Sequence, residues 1–437
     1  MPSTTFPTTL GRGLGATLVF PDLPAHSALG IDQSIHTTSE HFKGVKHVPP
    51  GVHVVSYAAY DETGDRYGPV TAFFVHIPAV TEHADEQASG ISDVEAWMMD
   101  SAFRGPVLGW RWVPEDEALV GMEEDELGRA EAMVRDMRWD RELGSYYSMM
   151  EGGGLEDWGL LSGYVDQRVA ARLSPAGGRG ISGTAEEDHG VILGSTQSAA
   201  ELALSEQLLK GRERQGGGGG SGERQGAGGT RGDAASCARL YVGRCRYTAI
   251  PDPLIKDAGL SAAELTAWNM DKSAALDRLL EEAYKGRTDA FLGEMQFAYL
   301  AFLLGHSLEG FLQWKRMVAL LLGCDAAVRE YGGFFAAALG VVCEQLAFSF
   351  RKDRDEGLAG GEVVGDHVFE DHFLKGLVMS FLRDTVDDTG LDSRIREVVG
   401  RLAELVRTEL GWVASTALVD LDDDDDEDGP VVVYLDG

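Results

Sequence analysis

The sequence predicts an α+β protein, with a β-rich, sandwich-like N-terminal domain followed by an all-α helical domain. Short runs of β-branched and aromatic residues, separated by turn signals, fill residues 1 to about 120. Apolar residues at helical spacing dominate from about residue 250 onward, and a glycine-rich stretch lies between the two patterns. The predicted divisions are an N-terminal domain with trailing helices at 1–173, a flexible linker at 174–236, a helical domain at 237–420, and an acidic spacer with a C-terminal strand at 421–437.

Strand signals recur through the N-terminal domain. Runs rich in β-branched and aromatic residues occur at 16–20, 52–57, 70–76 and 107–113. The second run follows the turn signal Pro49-Pro50-Gly51 and alternates around His53 and Ser56. In the last run Trp110 and Trp112 lie two residues apart, so both rings are expected on the same face of one strand. The pattern predicts a small antiparallel sheet or sandwich, after which residues 122–172 turn helical.

The helical domain is predicted from apolar side chains that recur every three to four residues. Ser261 and Glu264 form a capping box before its first apolar run. Residues 291–304 are apolar almost all round, which predicts a central buried helix that ends near Gly305. Further helical stripes occupy 308–321, 334–350, 373–382 and 395–406. Six or so helices with short links predict a compact bundle or a helical superhelix.

The charge balance disfavours nucleic acids and membranes as partners. The chain carries 71 acidic and 38 basic residues, a formal net charge of -33. Proteins bind phosphate backbones and anionic bilayers through Lys and Arg, so the negative electrostatic field of this chain repels both. We therefore expect no direct nucleic-acid binding, no membrane association and a preference for basic protein partners, although solubility alone explains the charge equally well. Four cysteines are too sparse for a disulfide framework and predict a reducing compartment.

The sequence shows no catalytic constellation, and we expect no enzyme, no metal and no cofactor. The glycines of residues 11–15 precede a strand, whereas a dinucleotide site needs them after a strand and before a helix. His47 and His53 flank the Pro49-Pro50 turn, but no Cys or carboxylate stands beside them at ligand spacing. His306, next to Gly305, fits an ordinary buried or capping histidine better than a catalytic one.

The end of the chain carries an isolated strand signal. After the acidic run 422–428 and the pair Gly429-Pro430, the chain continues with the strand-forming residues Val431, Val432, Val433, Tyr434 and Leu435. A lone strand cannot satisfy its own N–H and C=O groups, so it must pair with a sheet edge. That edge belongs either to the N-terminal sheet of this chain or to a partner, and in the second case the segment is a strand-addition site.

Several segments, in order along the chain, resemble the a1-cistron splicing factor family. The N-terminal segments are Gly30-Ile31-Asp32, Phe42-Lys43-Gly44-Val45-Lys46, Val48-Pro49-Pro50-Gly51-Val52-His53, and Gly68-Pro69 with Phe73-Phe74. The C-terminal segments are Leu292-Gly293-Glu294-Met295-Gln296-Phe297-Ala298, Phe302-Leu303-Leu304-Gly305, Trp314-Lys315-Arg316 and Pro430-Val431-Val432-Val433. The resemblance covers both domains, whereas the linker, the loop at 81–90 and the acidic run do not follow the family.

The resemblance implies a non-catalytic assembly factor of the U5 small nuclear ribonucleoprotein (snRNP) in pre-mRNA splicing, located in cytoplasm and nucleus. Family members have a β-rich N-terminal domain and a VHS-like helical domain. They bind the large U5 snRNP scaffold protein through its RNase H-like and Jab/MPN-like domains, hold off the particle's helicase until maturation, and add their C-terminal tail to the partner as a strand. Lys43 and Lys46 are then expected to touch the partner, although a sheet turn that needs Gly44 explains the same motif equally well.

Two other interpretations stay open at this point. A helical adaptor that recognises peptide motifs in trafficking would also use a VHS-like bundle, and it predicts a peptide groove on the helical domain. It has no need of the N-terminal motifs. An enzyme of unknown chemistry requires polar groups that converge in one pocket, and the sequence shows no such set.

Overall fold

The computed structural model describes residues 15–61, 66–78, 105–150, 154–183, 242–250, 270–349 and 372–412. The strands are β1 (Ala16–Val19), β2 (Ala28–Ile31), β3 (Ser34–Thr37), β4 (Gly44–Val48), β5 (Gly51–Ala58), β6 (Tyr60–Asp61), β7 (Arg66–Tyr67), β8 (Thr71–Ile77), β9 (Val107–Val113), β10 (Ala118–Gly121) and β11 (Leu143–Ser145). The helices of the N-terminal half are α1 (Glu124–Arg135), α2 (Tyr146–Met149), α3 (Gly154–Ser162) and α4 (Gln167–Leu173). Those of the C-terminal half are α5 (Ser273–Glu282), α6 (Thr288–Gly305), α7 (Leu308–Leu322), α8 (Ala327–Glu330), α9 (Gly332–Ser349), α10 (His372–Thr385) and α11 (Ser393–Thr408).

The N-terminal half contains two main sheets. One has the strand order β10-β9-β1-β4-β11, with β1 parallel to β9 and β11 parallel to β4. The other has the order β3-β2-β5-β8 and is antiparallel throughout. The predicted α+β class, a β-rich domain followed by a helical one, is confirmed.

Aromatic side chains of β9 join the two sheets face to face. Trp110 lies with its ring centroid 5.1 Å from that of Phe73, and Trp112 lies edge-on at 6.1 Å from Tyr57. Tyr57 and Phe73 belong to the other sheet, so both tryptophans point from one face of β9 into the space between the sheets. The prediction that the two rings share a face is confirmed, and the sandwich-like packing follows from it.

Strand β5 is buried on both faces, although its sequence alternates. His53 and Ser56 are 2% and 3% exposed, as little as the apolar residues beside them. The reason is that helices cover the face that the sandwich leaves open: Trp158 of α3 donates its indole N–H to the carbonyl of Val52 at 3.1 Å. The polar residues of β5 therefore need partners inside the fold.

The helical half is built around α6, as the sequence predicts. Every residue from Ala290 to Gly305 is buried. The helix ends at His306, which adopts the left-handed conformation with φ 53°. Ser307 then caps α7 by accepting a hydrogen bond from the Gly310 amide at 3.0 Å. The amphipathic helix α11 lays its apolar stripe against α9, so the bundle closes around α6 and α9.

The two halves share one hydrophobic core. The ring of Phe74 in β8 stacks on that of Phe297 in α6 with 4.2 Å between centroids. Ile181 exchanges two backbone hydrogen bonds with Ala72 of β8, at 2.8 and 2.6 Å, and is 2% exposed. The packed N-terminal half thus extends to residue 183, past the boundary at 173 that the sequence predicts. The remainder of the predicted linker, 184–236, lies outside the described residues.

Candidate functional site

The Lys43–Lys46 motif lies where β4 enters the five-stranded sheet. Strand β4 pairs with β1 on one side and with β11 on the other. Gly44 has φ 155°, and a Cβ added there would lie 2.1 Å from the carbonyl oxygen of Leu18. The close approach of two strands therefore requires a glycine at this position, which favours the structural interpretation of the motif.

Both lysines of the motif bind groups of their own domain. Lys43 donates its ammonium to the carbonyl of Pro21 at 2.6 Å. Lys46 reaches Asp140, with 2.9 Å to Oδ1 and 3.0 Å to the backbone carbonyl, and its side chain is 19% exposed. Contact of these lysines with a partner stays a prediction. What the geometry establishes is that each ammonium holds a loop of the N-terminal domain in place.

A second polar cluster is sealed between the antiparallel sheet and α2. Asp32 and Tyr146 are 0% exposed. The carboxylate of Asp32 accepts from the Val54 amide at 2.9 Å, from the phenol of Tyr146 at 2.6 Å and from Nδ1 of His53 at 2.8 Å. No local sequence pattern predicts this grouping, because Asp32 and Tyr146 are 114 residues apart.

The geometry of this cluster requires a charged histidine. Nδ1 of His53 faces the Asp32 carboxylate and Nε2 faces the Pro49 carbonyl at 2.8 Å, so both ring nitrogens must carry hydrogen. Burial lowers the pKa of His53, whereas the charge of Asp32 and the hydrogen bonds to Asp32 and Pro49 raise it, and the pKa ends above its ordinary value of 6.5. Burial and the Asp32 charge also raise the pKa of the Tyr146 phenol.

This cluster resembles an acid–base relay only in its residue types. The ring of His53 lies between Tyr146, edge-on at 5.6 Å, and Trp158, stacked at 6.4 Å. A substrate has no access to side chains that are so enclosed, and both histidine nitrogens are occupied by acceptors. The arrangement is a buried ion pair that ties the turn after β2 to β5 and α2, and it gives His53 a structural role.

The Gly293–Phe297 segment forms the joint between the two halves, a role that goes beyond the core position its sequence predicts. Glu294 is 0% exposed, and its carboxylate accepts five hydrogen bonds. The donors are Arg172 Nη2 at 2.6 Å, the Thr248 hydroxyl at 2.7 Å, the Tyr284 phenol at 2.9 Å, the Thr248 amide at 2.7 Å and Gln313 Nε2 at 3.0 Å. One buried carboxylate thus joins α4, residues 242–250, the turn after α5, α6 and α7.

Two neighbours of Glu294 complete the joint. Gln296 accepts from the Tyr164 amide at 2.7 Å and donates to the Leu160 carbonyl at 2.9 Å, so it satisfies the backbone at the end of α3. A Cβ on Gly293 would lie 2.4 Å from the carbonyl oxygen of Tyr164. The segment therefore needs a glycine for close approach and a glutamine for the backbone groups that this approach buries.

Residues 242–250, which we call the strap, run along the joint. Arg246 donates to the carbonyls of Ala171 at 2.6 Å and Ser174 at 3.1 Å, which belong to the C-terminal end of α4. The Gly243 amide donates to the Gly180 carbonyl at 3.0 Å. The described ends on either side of residues 184–241 are therefore neighbours, since Gly180 and Gly243 are joined by this hydrogen bond.

Because these two ends are neighbours, cutting the chain between them is expected to leave the two halves of the protein folded and bound to each other. A protease site placed within residues 216–229 of the full-length chain should give two bands on a denaturing gel after cleavage. The nicked protein should keep the native elution volume, since the shared core and the Glu294 network hold the halves together. The same protease acting on the chain without the inserted site is the control. Elution as two separate fragments would contradict this picture of the joint.

The remaining candidate residues have the surroundings of structural residues in a protein core. Burial lowers the pKa of His306 and raises the pKa of Cys324 and of Cys343 to about 12 each, as expected for core thiols. Among the described residues, no group of three or more His, Cys, Asp or Glu side chains is placed to hold a metal ion.

Helix α9 is long and apolar enough to cross a membrane by length and composition, and 56% of it is buried in the fold, as in a core helix. The predicted strand residues Val431, Val432, Val433, Tyr434 and Leu435 lie outside the described residues, as do Ser261 and the acidic run 422–428.

Comparison with known proteins gives matches over both halves. A family profile described as the AAR2 N-terminal domain matches residues 14–175, and one described as the AAR2 C-terminal repeat region matches residues 247–415. Protein AAR2 homolog from Mus musculus is 25% identical over 429 residues, which cover 96% of this chain and 94% of that protein. The human homolog is 23% identical with the same coverage. The homolog from Caenorhabditis elegans is 24% identical over 344 residues, 76% of this chain and 78% of that protein.

A β-rich domain and a helical domain that share one core, each matched in order by its own profile, define a two-domain protein with a splicing-related role. The chain belongs to the AAR2 family, the a1-cistron splicing factors.

Proposed function

We propose that this protein is a non-catalytic assembly factor of the U5 snRNP in pre-mRNA splicing. The observation that carries the proposal is the match of both halves, in order, to the two AAR2 profiles. A trafficking adaptor would use the helical domain alone, and it would leave the match over residues 14–175 without a purpose. The enclosure of Asp32 and His53, the most enzyme-like group in the described residues, agrees with a binding role.

The partner that we propose is the large U5 snRNP scaffold protein, contacted through its RNase H-like and Jab/MPN-like domains. While bound, the factor would hold off the helicase until maturation, in cytoplasm and nucleus. The shared core supports this idea, because two domains that pack on each other offer a partner two surfaces that are already positioned. The net charge of -33 supports a protein partner over direct contact with RNA.

The proposed mode of contact is strand addition by Val431, Val432, Val433, Tyr434 and Leu435. Main-chain hydrogen bonds would supply affinity, and alternate side chains would supply specificity. The chain also offers edges of its own, because β3 ends the antiparallel sheet and its residues are half-buried or exposed. Pairing within the chain therefore stays the alternative that an experiment must separate.

Co-purification with fragments of the scaffold protein tests this proposal. Removal of residues 429–437 is expected to weaken the complex by at least about tenfold, since several ladder hydrogen bonds are lost together. A double substitution, Val432→Pro with Val433→Pro, should reproduce the loss, because proline has no N–H group to donate. The N–H groups of successive strand residues point in opposite directions, so one of the two prolines must replace a donor that faces the partner strand. The matched control is Val432→Thr with Val433→Thr, which keeps strand propensity and should bind normally.

Three outcomes separate the hypotheses. Weaker binding by both the truncated and the proline variants supports strand addition to the partner. Equal binding by all variants retains the assembly role and assigns the tail to pairing within the chain. Absence of binding by the full-length chain contradicts the assembly role itself and favours the adaptor.

A further inference from the structure

The strap, residues 242–250, lies against the fold as a bound peptide lies in a groove. On one side of this groove the Arg246 amide donates to the Leu173 carbonyl at 2.8 Å, and the Arg246 guanidinium donates to the carbonyls of Ala171 and Ser174 at 2.6 and 3.1 Å. Carbonyls at the C-terminal end of a helix attract a cation. This side of the groove, the end of α4, therefore selects an arginine.

The other side of the groove is formed by α6 and α7, and it selects a threonine. The amide and the hydroxyl of Thr248 each donate to the Glu294 carboxylate at 2.7 Å. Gln313 donates to the Thr248 carbonyl at 2.9 Å, and Arg172 donates to the Thr248 hydroxyl at 3.0 Å. A side chain without a hydroxyl would lose a hydrogen bond to a charged acceptor, which is stronger than one between neutral groups.

The strap is held at the surface and not in the core. Each of its residues is half-buried or exposed. Cys245, Tyr247 and Ile250 pack against the shared core, and the Tyr247 ring lies edge-on with its centroid 6.2 Å from that of Phe297. Segments that bury little apolar surface open at a lower free energy than the whole protein unfolds. We therefore expect the strap to detach from the otherwise native protein.

Detachment leaves the rest of the fold in place. The strap belongs to none of the described sheets or helices, so no ladder of backbone hydrogen bonds breaks when it leaves. Glu294 keeps the hydrogen bonds from Arg172, Tyr284 and Gln313, so the opened groove does not contain an unpaired charge. The groove then presents acceptors for an arginine and, two positions further along a bound chain, a carboxylate for a threonine.

We propose that the strap is a replaceable peptide ligand, and that its groove binds a partner segment in which threonine or serine follows arginine by two positions. The strap occupies the site in the free protein and leaves it when such a segment binds. A segment that brings a carboxylate or a phosphate to the position of Thr248 is excluded, because that group would face Glu294. The inference identifies a contact surface separate from the C-terminal strand and does not rest on the assembly role.

The test uses the full-length chain and a capped peptide, Val-Gly-Arg-Ser-Arg-Tyr-Thr-Ala-Ile, which is the strap sequence with serine in place of cysteine. A fluorescent label on the peptide reports binding by anisotropy. Cys245, a half-buried cysteine of the strap, reports opening through its alkylation rate, followed by mass spectrometry. Saturating peptide should raise this rate severalfold, since the peptide displaces the strap.

The sharpest comparison places the same substitution first in the strap and then in the peptide. Thr248→Val in the chain removes the hydroxyl but keeps the shape, so the strap should open more often and the peptide should bind about tenfold more tightly. Threonine to valine in the peptide should weaken its binding to the wild-type chain by about the same factor. One change has these opposite effects only if the strap and the peptide compete for one groove.

Thr408→Val is the matched control. The Thr408 hydroxyl also donates a hydrogen bond, to the Glu404 carbonyl at 2.9 Å, but it lies on the separate helix α11. This variant should change neither the affinity for the peptide nor the alkylation of Cys245. Cys343, 0% exposed in the core, is the internal reference, and its alkylation should stay equally slow in all variants.

Three results would overturn the inference. The first is that the peptide binds Thr248→Val no more tightly than the wild type. The second is that the valine peptide binds as tightly as the threonine peptide. The third is that alkylation of Cys245 and Cys343 accelerates together, because the strap would then leave only when the whole chain unfolds. If Thr248→Val does not fold, Arg246→Gln, at an exposed position, replaces it and should act in the same direction.

Discussion

Replacing Glu294 with alanine is expected to lower the free energy of unfolding by about 3–5 kcal/mol, the usual cost of removing one partner from a buried ion pair. The carboxylate is 0% exposed and accepts five hydrogen bonds, so its loss removes an acceptor from Arg172, Thr248, Tyr284 and Gln313 at once. A donor that is left buried and unpaired, such as the Thr248 amide, adds a further penalty.

The measurement is urea denaturation of the full-length chain, combined with amide hydrogen exchange. The strap should lose protection first, because the Thr248 amide donates directly to Glu294. Glu404→Ala is the matched control: Glu404 also pairs with an arginine, Arg407, at 2.6 Å on a helix, but its side chain is 59% exposed. That pair should contribute no more than about 1 kcal/mol. Equal losses in the two variants would contradict the view of Glu294 as the centre of the joint.

The Glu294→Gln variant separates the effect of the negative charge on stability from the effect of the side chain's volume. The amide keeps the volume of the side chain but places an N–H group where the carboxylate accepted hydrogen bonds, so one donor must face another. We expect a loss of stability between those of the alanine variant and the exposed control.

The contacts of the Glu294 joint show which features of this structure a local sequence pattern can predict and which it cannot. The spacing of apolar residues was enough to predict α6 as a central buried helix and Trp110 and Trp112 as one face of a strand, because both depend on residues close in sequence. Glu294 stood out in the sequence only as part of a motif on an apolar helix. Its donors Arg172 and Gln313 lie 122 and 19 residues away, and no local pattern encodes a pairing over such distances.

Strand β5 illustrates the same limit. His53 and Ser56 lie three residues apart, so they point to opposite faces of the strand, and both are buried. A polar side chain in a strand predicts solvent only when nothing else covers it, and the rings that cover His53 belong to Tyr146 and Trp158, which lie far along the chain. Likewise, the lysines of residues 43–46 carry a recognisable motif, but the groups they hold, Pro21 and Asp140, are known only from the fold.

The buried Asp32–His53 pair yields a prediction about pH. The folded-state pKa of His53 lies above 6.5, its value in the unfolded chain, so the native state binds this proton more tightly. The stability that the proton contributes is fully present below pH 6.5 and is lost as the pH rises through the folded-state pKa. Over that window the free energy of unfolding should therefore fall with increasing pH because of this group.

Asp32→Asn is expected to reverse that slope and to cost on the order of 3 kcal/mol at neutral pH, since His53 and Tyr146 lose a charged acceptor. Without the carboxylate, burial, the largest influence on His53, outweighs the remaining hydrogen bond to the Pro49 carbonyl and lowers the pKa of His53, so stability should rise with pH as the buried ring gives up its proton. Urea denaturation from about pH 5.5 to about pH 8.5 measures both effects. Asp136→Asn is the control, because Asp136 pairs with Arg138 on the surface with 56% of its side chain exposed, and it should shift stability by no more than about 0.5 kcal/mol without changing the slope. Parallel pH profiles for the wild type and Asp32→Asn would show that His53 is neutral in the native protein, and the two acceptors around its ring would then need another explanation.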